Sequence, residues 1–61
     1  MIYITVIVPG WEKEQLFSAT SLSEAVNKAK KNIPLTMWEN SRIFVVDQKE
    51  FEDLLELYYK K

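Results

Sequence analysis

The chain opens with an apolar segment whose pattern predicts a β-strand. Residues Ile2 to Val8 are rich in β-branched side chains, which suit a pleated, packed surface. Successive side chains of a strand point to opposite faces. The two sets are Ile2, Ile4, Val6 and Val8 on one face and Tyr3, Thr5 and Ile7 on the other. Because both sets are mainly apolar, we expect this strand at the centre of a sheet, with at least partial cover on its second face.

Two further segments predict strands. Pro9-Gly10 is a turn dipeptide, so the chain is expected to reverse there. Glu14 to Thr20 alternates weakly between apolar and polar positions, which is typical of an antiparallel edge strand. Arg42 to Asp47 contains a short apolar run and predicts a third strand. Leu35 to Ser41 shows no clear period, and we expect it to be a connecting loop.

A capping box marks the start of the first predicted helix. The Ser21 hydroxyl can accept a hydrogen bond from the Glu24 amide while the Glu24 carboxylate reaches back. The helix is predicted from about Leu22 to Asn32, ahead of Pro34, which disfavours helical geometry in the preceding residue. Its apolar stripe is Leu22, Ala25, Val26, Ala29 and Ile33. This spacing is typical of a helix with one face on a core.

The second predicted helix follows the third strand. Asp47 and Glu50 repeat the capping geometry, with Asp47 in the place of the serine. Apolar residues then recur at helical spacing, namely Phe51, Leu54, Leu55 and Tyr58. We expect the helix to run to about Tyr59, with Tyr58 facing the core and Tyr59 exposed.

The elements predict one α+β domain over residues 1–61, in the order β-β-α-β-α. A right-handed crossover makes strand three parallel to strand two, and the apolar first strand fits between them. The expected fold is a three-stranded antiparallel sheet, order 2-1-3, packed by two helices. Two arrangements stay open. In the favoured one, both helices cover one face and leave the other exposed; in the alternative, the C-terminal helix covers that second face. The residues expected on the second face are Tyr3, Thr5, Ile7, Phe17 and Phe44.

Composition narrows the function classes. The 61 residues contain no cysteine and carry a formal net charge of −1, with a pronounced aromatic content of 13%. A chain this short often needs a partner subunit for stability, and so many rings do not all fit a small core. We therefore expect a homodimer. Without cysteines or a signal-peptide pattern, and without about 20 consecutive apolar residues, we expect a cytoplasmic protein that does not span a membrane.

Residues for common catalytic chemistry are missing from the sequence. It has no histidine, no cysteine and a single glycine, Gly10, which leaves no thiol nucleophile, no imidazole base and no glycine-rich phosphate loop. The acidic residues of the second helix alternate with its apolar stripe, so they are interpreted as a solvated face. They are Glu50, Glu52, Asp53 and Glu56. We expect no enzymatic activity, no cofactor and no metal site.

Binding to another protein is the favoured function, in the manner of small prokaryotic or phage regulators and inhibitors. Tryptophan is enriched among interface hot spots, although Trp11 and Trp38 are more readily interpreted as plugs for the ends of the core. The candidate interface residues are Tyr3, Thr5, Ile7, Trp11, Phe17, Met37, Trp38 and Tyr59.

The alternative function is a nucleic-acid-associated regulator that combines a local basic patch with an aromatic sheet face. The patch residues are Lys28, Lys30, Lys31 and Arg42. Lysines near the end of a helix are expected from the helix dipole alone. No glycine-aromatic run typical of RNA-binding strands is present. These two observations make nucleic acid the less favoured partner.

Overall fold

The computed structural model describes residues 1–59 and confirms the predicted α+β fold. Lys60 and Lys61 of the predicted domain lie outside the described residues. Over this range the elements are strand β1 (Ile2–Ile7), strand β2 (Gln15–Ala19), helix α1 (Leu22–Asn32), helix α2 (Leu35–Trp38), strand β3 (Arg42–Val46) and helix α3 (Gln48–Tyr58). The bounds of the five predicted elements agree to within one residue. Helix α2 was not expected.

Helix α2 occupies the segment that was predicted to be a loop. It is a single turn that begins directly after Pro34, whose carbonyl accepts hydrogen bonds from the Met37 and Trp38 amides at 2.9 and 2.8 Å. Helix α1 ends in extended backbone at Ile33, as expected of the residue before a proline. A helix of one turn has no room for a repeating apolar pattern, which is why periodicity did not predict it.

The sheet has the predicted order β2-β1-β3, and both neighbouring pairs are antiparallel. Directly opposite residues share a face. Ile4 lies opposite Phe17 and Val45, so these three side chains share the face that we call the α1 face. Tyr3 lies opposite Ser18 and Val46 on the other face, the α3 face. Phe17 was expected to share a face with Tyr3, and the register shows this prediction to be wrong.

The hydrophobic core lies between the α1 face and helix α1. Ile4 and Val6 are fully buried, as are Ala25 and Ala29 of the helix. The two alanines let the helix backbone approach the sheet closely. The large side chains of β1 then fill the space between the helix and the sheet. The remaining core residues are Val8, Ala19 and Ile33, with Ile2, Phe17, Val26, Met37 and Trp38 packed around them.

Helix α3 packs on the opposite face of the sheet, so the favoured single-face arrangement is wrong. The Phe51 ring lies 4.8 Å from the Tyr3 ring between centroids, and Thr5 is only 3% exposed. Each long helix therefore covers its own face in a three-layer arrangement. The physical reason is the apolar character of β1 on both sides, since one helical layer would leave Tyr3 and its neighbours in water.

Both predicted helix caps form. The Glu24 amide donates to the Ser21 hydroxyl at 3.3 Å, and the Glu50 amide donates to the Asp47 carboxylate at 2.7 Å. The expected return bond from the Glu24 carboxylate is replaced, because that carboxylate accepts a 3.0 Å hydrogen bond from the Thr20 hydroxyl instead. These caps define the residues at which the two long helices begin.

Candidate interaction surface

Strand β3 exposes apolar side chains on both of its faces. Ile43 and Val45, which point to the α1 face, are 38% and 62% exposed, and Phe44 on the α3 face is 46% exposed. We call Arg42–Val46 the β3 overhang. Contiguous exposed apolar side chains on a small protein commonly mark a contact surface.

The overhang is exposed because of where the long helices sit. Helix α1 packs against β2 and β1, and helix α3 packs against β1 and β2. Helix α1 contributes Ala25 and Ala29 to the core, where they are buried together with Ile4 and Val6 of β1 and Ala19 of β2. As a result β1 is covered above and below, while β3 extends past the edges of both helices.

The outer edge of β3 is also open. Within residues 1–59 the sheet ends at β3, with β1 as its paired neighbour. A strand at the end of a sheet presents a row of backbone N–H and C=O groups that can pair with another strand. Natural edges usually carry lysine, proline or a bulge against such pairing. The β3 sequence Arg-Ile-Phe-Val-Val has one charge, at its first residue.

The opposite edge of the sheet differs from β3. At β2 the Lys28 ammonium donates a 2.8 Å hydrogen bond to the Ser18 carbonyl. Nearby, the Tyr59 hydroxyl donates at 2.7 Å to the carbonyl of Glu14, the residue before β2. A side chain of α1 and one from the residue that follows α3 thus bond backbone carbonyls of β2 and of the residue before it. The β3 edge is consequently the better candidate for an intermolecular contact.

A groove runs beside β3 on the α3 face. It has a volume of about 350 Å³. Its lining residues are Thr5, Glu14, Phe44, Val45, Val46, Glu50 and Leu54. The Thr5 hydroxyl donates to the Glu14 carboxylate at 3.0 Å, which places one acidic side chain in the groove. With Glu50 also in its lining, the groove combines apolar side chains with two carboxylates and so suits an apolar segment that carries a cation.

The end of helix α3 is tied to the loop before β2. Besides the bond from Tyr59 to the Glu14 carbonyl, the Lys13 ammonium lies 5.3 Å from the centroid of the Tyr59 ring. Burial, and then the nearby Glu14 carboxylate, raise the pKa of both Tyr58 and Tyr59. Each effect opposes a negative charge on the phenol, so the folded structure favours the neutral tyrosines.

The structure separates the predicted interface residues into three groups. Phe17, Met37 and Trp38 pack around the core on the α1 face. Tyr3 and Thr5 lie beneath α3, and Thr5 is buried. The others are Ile7, Trp11 and Tyr59, which are exposed. Ile7 and Trp11 line a common depression beside Tyr58. The eight residues therefore do not form one continuous surface, although a contact at any of the exposed ones stays a prediction.

The predicted basic patch is partly engaged within the molecule. Lys28 bonds the Ser18 carbonyl, and the Lys30 ammonium lies 5.9 Å from the centroid of the Trp38 ring. Lys31 is exposed, and Arg42 is the first residue of β3, opposite Ile7 on the α3 face. Each of Lys28 and Lys30 thus has a structural role that requires no nucleic acid.

Sequence reasoning did not single out Ile43 and Val45. Their pattern is that of a core strand, and Phe44 alone was expected near the second face. The signal that identifies them is spatial: the strand lies beyond both helices. For the described residues 1–59, no group of three acidic, histidine or cysteine side chains is placed to hold a metal ion. No helix in that range has the length and apolar character needed to cross a membrane.

Comparisons with protein-family models, with curated proteins and with solved structures found no match to this chain.

Proposed function

We propose that this chain is a non-enzymatic protein-interaction module of the cytoplasm, a small regulator or inhibitor that self-associates and binds another protein through the β3 overhang. The observation that carries this proposal is the combination of an open strand edge with exposed apolar side chains on both faces of the same strand. Each feature alone occurs on many proteins. Together they supply the two components of strand addition.

The backbone of β3 supports affinity in this proposal. A strand that pairs with the free edge forms a ladder of main-chain hydrogen bonds. These bonds replace bonds to water, so the net gain for each is modest. Main-chain pairing also does not depend on sequence, and it therefore requires a second source of specificity.

The side chains of β3 supply that specificity. Ile43 and Val45 offer apolar contacts on the α1 face, while Phe44 offers a ring at the groove on the α3 face. A partner must match both faces at once, because alternate residues of the added strand point to opposite sides. The missing histidine and cysteine, together with the single glycine, favour a binding role over catalysis.

Site-specific photo-crosslinking tests the proposal. A photoreactive phenylalanine analogue is introduced at Val45, or as a matched control at Leu57, which is 69% exposed on helix α3. In cells of the source organism we expect the Val45 position to give discrete protein adducts that the Leu57 position does not give. Equal adduct patterns from the two positions, or adducts of position 45 with nucleic acid alone, would contradict the proposal.

A further inference from the structure

We propose that the β3 overhang pairs with the β3 overhang of a second copy of this chain, antiparallel and about a two-fold axis at Phe44. This inference rests on the proposed function and specifies a second copy of this chain as an occupant of the β3 overhang, so any other protein that binds there must compete with the dimer. It produces a continuous six-stranded sheet of order β2-β1-β3-β3-β1-β2. A closed two-fold pair also consumes both open β3 edges, so assembly stops at the dimer.

The register follows from the two faces of the strand. A two-fold axis along the sheet normal keeps the two α1 faces on the same side, and directly opposite residues must share a face. The axis must therefore lie midway between one residue of β3 and the same residue of the second copy, and not between two consecutive residues. With the axis at Phe44, all five residues of β3 lie opposite β3 residues of the second copy. With the axis at Ile43 or Val45, three of the five do so.

This register is self-complementary in its apolar side chains. Phe44 lies opposite its own counterpart, and Ile43 of each copy lies opposite Val45 of the other. Opposed aromatic and β-branched residues are favourable cross-strand pairs. The three exposed apolar positions of the overhang thus all take part in the same pairing.

Charge also favours a second copy. Arg42 points to the α3 face and lies opposite Val46 of the other copy in this register. Val46 and Glu50 line the same groove, so this register directs the Arg42 guanidinium of one copy toward the Glu50 carboxylate of the other. The symmetry forms this pair twice. The two Arg42 residues lie at opposite ends of the paired strands, separated along the strand by about 14 Å.

The positions of the helices permit this approach. Strands in a sheet lie about 4.8 Å apart. Helices α1 and α3 pack over β2 and β1, so they stand back from the edge that the second copy would occupy. Strand β2 is a poorer site for the same pairing, since Lys28 already bonds its Ser18 carbonyl.

Disulfide trapping tests the pairing and its register. The chain has no native cysteine, so single-cysteine variants report one position each. Directly opposite residues are close enough for a disulfide, whereas residues diagonally displaced by two positions lie about 7–8 Å apart. We expect a mixture of the Ile43→Cys and Val45→Cys chains to give the mixed disulfide dimer on mild oxidation. Each variant alone should crosslink much less, and Leu57→Cys serves as the exposed control.

Charge reversal provides an independent readout. Arg42→Glu and Glu50→Arg should each weaken the dimer about tenfold, because each creates two like-charged contacts. The double variant, Arg42→Glu with Glu50→Arg, should recover most of the affinity. Failure of this recovery in chains that circular dichroism shows to be folded would overturn the Arg42–Glu50 contact.

Two results overturn the pairing itself. The first is efficient trapping of Val45→Cys with itself, which places the axis elsewhere. The second is a strict monomer without the mixed 43–45 disulfide. If the photoreactive group at position 45 still gives adducts with other proteins in that case, the proposed function stands without the homodimer. If those adducts are absent as well, both proposals fail.

Discussion

Replacing Val45 with lysine places a charge at the most exposed apolar position of strand β3. Val45 is 62% exposed, so this change removes little that the isolated chain has buried. Surface substitutions of this kind usually change the free energy of unfolding by no more than about 0.5 kcal/mol. We therefore expect Val45→Lys to weaken association between chains and to leave the free energy of unfolding almost unchanged.

The magnitude follows from the exposed fraction. Full burial of a valine side chain stabilises by about 1.5 kcal/mol. Covering the exposed 62% of Val45 thus contributes about 1 kcal/mol in each subunit. Two copies of the site give about 2 kcal/mol in the proposed dimer, so losing both should weaken its dissociation constant about 30-fold. The lysine ammonium reaches into water from such a position, so its charge adds little to this value.

Sedimentation velocity over about a hundredfold range of protein concentration measures the change, because the dimer fraction follows mass action. The matched control is Leu57→Lys, which adds the same charge at an exposed leucine of helix α3. We expect the control to sediment as the wild-type chain does. The reasoning is refuted if Val45→Lys dimerises as tightly as that control, or if it lowers the free energy of unfolding by more than about 1 kcal/mol.

Two further predictions concern helix α3. Phe51→Ala should lower the free energy of unfolding by about 2 kcal/mol, roughly half the usual cost for a buried phenylalanine, since Phe51 is half-buried against Tyr3. Urea unfolding of this variant and of Phe51→Leu measures the loss. A loss below about 0.5 kcal/mol for Phe51→Ala would contradict docking of α3 on this face. The raised pKa values of Tyr58 and Tyr59 contribute stability that is present below about pH 10 and is lost as pH rises through the folded-state values. Urea unfolding between neutral and strongly alkaline pH should show this decline, and Tyr59→Phe should reduce its slope; an unchanged slope would contradict the assignment.

The local elements could be read from the sequence because their causes are local. The Ser21 and Asp47 caps each bond an amide three residues ahead, and both helices begin where these residues predict. The density of β-branched residues in β1 likewise placed it at the centre of the sheet. These signals depend on neighbours along the chain, so no knowledge of packing is needed to interpret them.

The candidate surface could not be read in the same way. Ile43 and Val45 have the composition of core residues, and the surface appears only because α1 and α3 pack over β2 and β1. Phe17 illustrates the same limit at smaller scale, since a register displaced by one residue reverses the face of every side chain in a strand. Neither helix position nor register is encoded by a local periodicity.

The sequence by itself determined the three strands, the two long helices with their caps and the shortage of catalytic side chains, whereas the single turn of helix α2 was found only in the structure. Tertiary structure decided that helix α3 covers the second face of the sheet, where Thr5 is buried and Tyr3 half-buried, and that β3 extends beyond both helices. The physical reason is that a hydrophobic side chain has no preferred partner. The hydrophobic effect rewards burial without direction, so the choice among apolar residues depends on the geometry of the whole fold.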